Sequence, residues 1–259
     1  MTIKLQSQGF TLVELSIVII IIGFLIAGIS AGTSLMKQAS FNTVINEVTN
    51  YRAAFNEFMT RYGAIPGDFK DGYAYWGSLA IANCTNNNVV IDRTGCNGNG
   101  DGKVEVHSEG KLAWKHLALS GMITGTYEVG STSEQIIGVN IPASKYSNGK
   151  AGYHFIDYSP YEAVATLIGY KQGLLLEIGA FTEGDRAATD IFTTADAKNI
   201  DDKMDDGNPN SGTVQGGSLV YGYPPAGGGW NDDCSDGGDN YLLQNSGIIC
   251  RLSLAFTYK

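Results

Sequence analysis

Residues 10–29 read FTLVELSIVIIIIGFLIAGI, and their reading decides the fold. The run is almost unbroken in apolar character and about 20 residues long, enough to cross a hydrocarbon core of about 30 Å as a helix. It is too long for an ordinary secretory signal, and Ala27-Gly28-Ile29 is a poor match to a small-residue cleavage site. Nine residues precede it and carry one positive charge, Lys4. The Lys4 flank fits a cytoplasmic amino end with the rest of the chain translocated. That bias is weak, because Lys37 lies on the other flank.

One residue does not suit the run. Glu14 places a carboxylate in a membrane helix, at a cost of roughly 2.5–3.5 kcal/mol near the bilayer centre and less near its surface. Two explanations are open. Glu14 is hydrated at headgroup level, or it pairs with a cation on a neighbouring chain. A cut before Phe10 would create an α-amino group four residues from Glu14. That group cannot easily reach Glu14 of its own helix, but an axially staggered neighbour could present it.

Working outward, the helix is expected to continue past the membrane. Val44, Val48, Tyr51, Phe55, Phe58 and Tyr62 recur at three- and four-residue spacing, one face of an amphipathic helix. Asn46, Glu47, Asn50, Asn56 and Glu57 fall on the other face. No proline interrupts residues 10–62, and Gly63 with Pro66 supplies a stop. A helix over those 53 residues is about 80 Å long. Gly23, Gly28 and Gly32 each weaken its interior by up to about 1 kcal/mol.

Gly9-Phe10-Thr11-Leu12-Val13-Glu14 followed by an apolar run resembles the class III leader and cleavage/methylation motif of type IV pilins and type II secretion pseudopilins. The resemblance implies that a prepilin peptidase cuts between Gly9 and Phe10 and methylates the new amino group of Phe10. It implies that Glu14 guides docking of each subunit into a fibre. The implied partners are other pilin or pseudopilin subunits in a homo- or hetero-filament, the peptidase, an inner-membrane assembly platform, and membrane lipid before assembly. The implied setting is the bacterial inner membrane, single-pass, with the head periplasmic and the final filament periplasmic or at the cell surface. Many pilins carry a proline in the exposed half of the helix, and none stands here. The stretches at 65–77 (IPGDFKDGYAYWG), 111–127, 140–147 and 196–212 resemble a subgroup of large pilin-like proteins with the same amino-terminal motif. Domain boundaries follow: leader 1–9, transmembrane and assembly helix 10–36, head 37–259 including the second half of the helix.

The head reads as α+β, an antiparallel sheet packed on the long helix with loop-rich, disulfide-closed regions. Residues 109–120 and 194–206 have helical character. Residues 152–158, 173–181, 218–223 and 248–257 read as strands, rich in aromatic and branched side chains. Of the 34 glycines, 30 lie beyond residue 60, where they cluster with Asn, Asp and Ser and indicate many turns. Net charge is −9, and residues 63–259 alone carry −10. An anionic head argues against general nucleic-acid binding, which rests on neutralising phosphates, and suits divalent cations or basic partners.

The four cysteines form two local pairs in sequence, Cys84/Cys96 and Cys234/Cys250. Three connectivities are open, and local bridges fit best because each would close a short polar loop. Oxidised, they place the head outside the reducing cytosol; the alternative is four free thiols within it. The carboxy-terminal pair resembles the disulfide loop that forms an exposed variable region in pilins.

NGNGDGKVE, residues 97–105, has the spacing of a calcium loop. Asn97, Asn99 and Asp101 fall at positions 1, 3 and 5, Gly102 takes the sharp turn, Lys103 offers its carbonyl, and Glu105 falls at 9. The usual carboxylate at 12 is missing, since Ser108 stands there and Glu109 comes one residue late. The loop reads either as a weak calcium site or as a Gly/Asn turn without metal. In NDDCSDGGDN, residues 231–240, Asp232, Asp233, Asp236 and Asp239 fit solvated carboxylates better than a cation site. Asp201, Asp202, Asp205 and Asp206 read as the wet face of a helix. Enzyme signals are thin: His107, His116 and His154 form no ligand pair, and no GxSxG, P-loop or HExxH occurs. No catalytic residue is assigned. The expected function is a structural subunit (pilin, minor pilin or pseudopilin). The competing reading is a membrane-anchored surface binding protein or adhesin that never polymerises.

Overall fold

The computed structural model describes residues 11–79, 84–89, 95–130, 134–157, 173–180, 189–217 and 233–256. The chain divides into two compact units, Met1–Asn42 and Thr43–Lys259. Helix α1, Leu12–Tyr62, contributes to both. Over residues 12–36 its apolar side chains are exposed, among them Leu12, Ile19, Phe24 and Ile29. This stretch is long and apolar enough to cross a membrane.

In the second unit α1 becomes a core helix. Val44, Val48, Phe55 and Phe58 are buried, while Tyr51 and Tyr62 are half-buried, so the buried side follows the three-four spacing. The helix ends at Gly63, whose N–H donates to the Met59 carbonyl at 2.9 Å. Arg61 in its last turn complements the carboxy-terminal dipole.

The helix packs on a four-stranded antiparallel sheet. Its strands are β3 (Ala151–Asp157), β4 (Leu174–Ala180), β5 (Val214–Gly217) and β6 (Arg251–Ala255), ordered β3-β4-β6-β5. Alternation sends Tyr153 and Phe155 toward α1, where Tyr51 meets Tyr153 at 5.1 Å and Phe55 meets Phe155 at 5.4 Å between ring centroids. A small sheet of β1 (Thr85–Asn88) and β2 (Gly95–Asn97) stands apart from it. Around these lie α2 (Gly72–Trp76), α3 (Glu109–Leu119) and α4 (Thr194–Met204). Thr193 caps α4, its side chain accepting from the Asp196 N–H at 3.2 Å. Trp114 of α3 stacks on Phe155 at 4.5 Å.

The expected α+β architecture is present. The strand expected over 218–223 lies outside the described residues; the observed strand, β5, ends just before it at Gly217. Glu47 does not sit on a wet face. Its Oε2 accepts from Ser144 Oγ at 2.7 Å and Tyr153 Oη at 2.8 Å, and its Oε1 from the Lys145 N–H at 3.0 Å. It ties α1 to the edge of β3. The outer face of the sheet is also buried, although it is polar. Register places His154, Glu177, Ser253 and Gln215 in one row across all four strands.

Candidate functional site

At the amino end, Gly9 and Phe10 lie outside the described residues. The next residue, Thr11, caps α1. Its Oγ1 accepts from the Glu14 N–H at 3.2 Å, and Glu14 Oε2 accepts from the Thr11 N–H at 2.8 Å and Thr11 Oγ1 at 2.7 Å. This is a reciprocal capping box, which satisfies donors at the start of the helix. Glu14 is thus fixed at the first turn of an exposed apolar helix. Ser16 Oγ donates back to the Leu12 carbonyl at 2.7 Å and Thr33 Oγ1 to the Ser30 carbonyl at 3.0 Å. Internal satisfaction of this kind suits a helix surrounded by lipid.

In the head, the residues that calcium-loop spacing singles out accept hydrogen bonds. Asn97 Oδ1 accepts from the Tyr73 N–H at 2.8 Å and Asn99 Oδ1 from the Asp101 N–H at 2.8 Å. Asp101 Oδ1 accepts from the Lys103 N–H at 2.9 Å, and Glu105 Oε2 accepts from Ser108 Oγ. The loop instead wraps two carboxylates from outside the 97–105 stretch. Asp68 Oδ1 takes the N–H groups of Gly100 and Asp101, and its Oδ2 that of Gly102 at 2.8 Å. Positive φ at Gly100 (76°) and Gly102 (83°) turns these amides inward. Glu109, at the start of α3, takes the N–H of Asn99 at 2.9 Å and of Glu105 at 3.0 Å.

One oxygen each of Asp68, Asp101 and Glu109 lies within 4.8 Å of the others. Burial pushes the Glu109 carboxyl up to about 7; Asp68 and Asp101 add to the shift, and its two backbone hydrogen bonds oppose it. Burial also raises Asp68. Sequence spacing missed Asp68 and set Glu109 aside as one residue late. Asp68 lies 29 positions before Asn97, and Glu109 enters from the helix start rather than from the loop's twelfth position.

His116 fixes this region. Its Nδ1 accepts from the Gly67 N–H at 3.0 Å, so its Nε2, 2.9 Å from the Cys96 carbonyl, carries the proton. Burial lowers its pKa to about 4 and keeps it neutral. Cys84 is bonded to Cys96 and Cys234 to Cys250, with no free cysteine. Each bridge closes a loop of a size that contributes about 3 kcal/mol in the chain-entropy model.

Asp232 lies outside the described residues. Asp236 is exposed and closes its own turn, its Oδ1 accepting from the Gly238 N–H at 2.8 Å and the Asn240 N–H at 3.2 Å. Of the four aspartates expected on a wet face, Asp202 and Asp206 are exposed and Asp205 is half-buried, but Asp201 is fully buried. It tolerates burial because Tyr241 Oη and the Gly207 N–H donate to it.

The buried polar row has the residue types of a hydrolase and the wrong connectivity. His154 Nε2 lies 3.0 Å from Glu177 Oε2, and Ser253 Oγ donates to Glu177 Oε1 at 3.1 Å. His154 and Ser253 flank Glu177 on opposite neighbouring strands, and the Ser253 hydroxyl turns its proton to Glu177 rather than to the imidazole. The imidazole therefore does not activate the hydroxyl.

Residues 4–30 match the family described as the prokaryotic N-terminal methylation motif. This is the class III prepilin-type motif of type IV pilins and pseudopilins. No curated protein and no solved structure matches the chain.

Proposed function

We propose that this chain is a structural subunit of a type IV pilus or type II secretion-like filament, acting by assembly rather than catalysis. Prepilin peptidase cuts between Gly9 and Phe10 and methylates the new amino group of Phe10. The trimmed chain waits in the inner membrane with its head in the periplasm, and an assembly platform feeds it into a homo- or hetero-filament. Glu14 meets the amino group of a staggered neighbour. One observation carries this reading: the methylation motif over residues 4–30 opens an exposed apolar helix with a single carboxylate, Glu14, in its first turn. Two bridged cysteine pairs agree with an oxidising exterior. Filaments sheared from the cells that make it should contain the chain in processed form. A chain confined to the membrane fraction, beside filaments that lack it, favours the non-polymerising adhesin.

We also propose that the head takes a divalent cation, calcium by ligand type, through Asp68, Asp101 and Glu109. This set replaces the loop-spacing ligands because it brings three carboxylates within 4.8 Å of one another. At tenfold excess over its Kd, calcium would add about 1.4 kcal/mol. For a head of this size that raises Tm by roughly 3–6 °C. The comparison is between millimolar calcium and EDTA at pH 8, using the oxidised full chain in detergent. Equal melting temperatures would refute the site.

A further inference from the structure

Away from the Asp68 loop, three carboxylates build a joint between α4, β5 and the loop closed by Cys234–Cys250. Asp205 Oδ2 accepts from the Thr213 N–H and from the Val214 N–H at 3.1 Å, which sets the start of β5. Asp206 Oδ1 accepts from the Asn208 N–H at 2.9 Å and its Oδ2 from Ser211 Oγ. Asp201 reaches furthest. Its Oδ1 takes the Gly207 N–H at 3.3 Å, and its Oδ2 takes Tyr241 Oη from the disulfide loop at 2.9 Å.

The crossing is built closely. Tyr241 is 6% exposed, and the next amide, Leu242 N–H, donates to the Cys234 carbonyl at 3.0 Å. Tyr241 lies over β5 at Gly216, where a Cβ would come within 2.4 Å of its hydroxyl. A second link is made by Asn210 Nδ2, which donates to the Gly238 carbonyl. Side-chain hydrogen bonds thus join the disulfide loop to α4 at Asp201 and to the α4–β5 turn at Asn210.

The charge around Asp201 is mostly negative. One oxygen each of Asp201, Asp205 and Asp206 lies within 4.8 Å of the others. The disulfide loop carries Asp236 and Asp239, and Asp233 stands just before it. On α4 itself stand Asp196, Asp202, Lys198 and Lys203, and Lys198 Nζ is held by Asp202 at 2.6 Å. Strand β5 adds no charge. Ionising Asp201 therefore puts a buried negative charge beside two others.

We propose that Asp201 is a proton-controlled catch, holding the disulfide loop to the α4–β5 turn when its carboxyl is protonated and releasing it more readily when ionised. Burial pushes this carboxyl up to about 7; the Tyr241 and Gly207 hydrogen bonds pull it down, and Asp206 and Asp205 push it up. A carboxyl raised in the folded state stabilises fully below its unfolded pKa, and that contribution is lost as pH rises through the folded value. The catch is thus closed at mildly acidic pH and weakens across neutrality.

Hydrogen exchange on the oxidised full chain in detergent tests this, with exchange times scaled for the intrinsic pH effect. Peptides spanning 205–214 and 234–250 should lose protection by tenfold or more between pH 5.5 and 8, since each pH unit between the unfolded and folded pKa is worth up to tenfold. The β4 peptide serves as the internal reference. Asp201→Asn, an uncharged isostere, should keep the low-pH protection at both pH values. Tyr241→Phe removes a bond that favours the ionised carboxylate, so it should move the midpoint to higher pH. Protection that does not change with pH in the unaltered chain would overturn the proposal. So would an unchanged pH response in Asp201→Asn, or an unmoved midpoint in Tyr241→Phe.

Discussion

Glu14→Ala should leave the chain anchored in the membrane but reduce its content in sheared filaments by tenfold or more. Truncating one member of a desolvated charge pair costs about 2–5 kcal/mol, because the other charge is left unpaired. In a filament that cost recurs at every subunit contact. The substitution also removes a local contact, since Glu14 Oε2 accepts from both Thr11 N–H and Thr11 Oγ1. Loss of a cap costs only about 1 kcal/mol and falls on a helix that lipid already favours. Glu14→Gln separates the two effects. Glutamine serves at this capping position as well as glutamate, yet carries no charge. It should therefore fail to assemble almost as badly as alanine. Assembly of the Gln variant at normal levels would make Glu14 a capping residue and nothing more.

Phe55→Ala should cost the head about 3–5 kcal/mol, the range for emptying a buried phenylalanine site. Phe55 is fully buried. Its ring lies 5.4 Å from Phe155 on β3 and 5.3 Å from Phe256 just after β6. It therefore joins the helix to two strands that are not neighbours in the sheet. The cavity cannot collapse easily, because Trp114 already stacks on the far side of this cluster against Phe155. Denaturant midpoints of the oxidised full chain in detergent would read the loss. Asn56→Ala, one position away on the exposed side, should change stability by less than about 0.5 kcal/mol. A small effect at Phe55 would mean that the helix does not depend on this face for its hold on the sheet.

The long helix was legible because two signals coincide in it: an apolar run of spanning length, then a three-four repeat. Both arise from positions close in sequence. The sheet was legible where strands are aromatic and branched, as in 151–157 and 174–180. It was not legible at β5, whose sequence Val-Gln-Gly-Gly has little strand preference of its own. That segment is a strand because β6 offers it a partner and because Gly216 leaves room for Tyr241.

Carboxylates were the hardest residues to read. Glu47, Asp201 and Glu109 all look like solvated charges, and each is drawn inward by donors distant in sequence or presented by a turn. Glu47 meets Ser144 and Tyr153, 97 and 106 positions away. Asp201 meets Tyr241, and Glu109 meets amides of a loop whose own spacing suggested a different ligand set. Periodicity reports which face of an element is apolar. It does not report which exposed-looking acid has hydrogen-bond donors waiting across the fold.

The central claim is that the amino end is processed for assembly, and the mass of the amino-terminal peptide tests it most directly. Chain recovered from filaments should begin at Phe10, lack residues 1–9, and carry one extra methyl group on its α-amino nitrogen. A peptide that retains residues 1–9, begins elsewhere, or begins at Phe10 without the methyl group would contradict it.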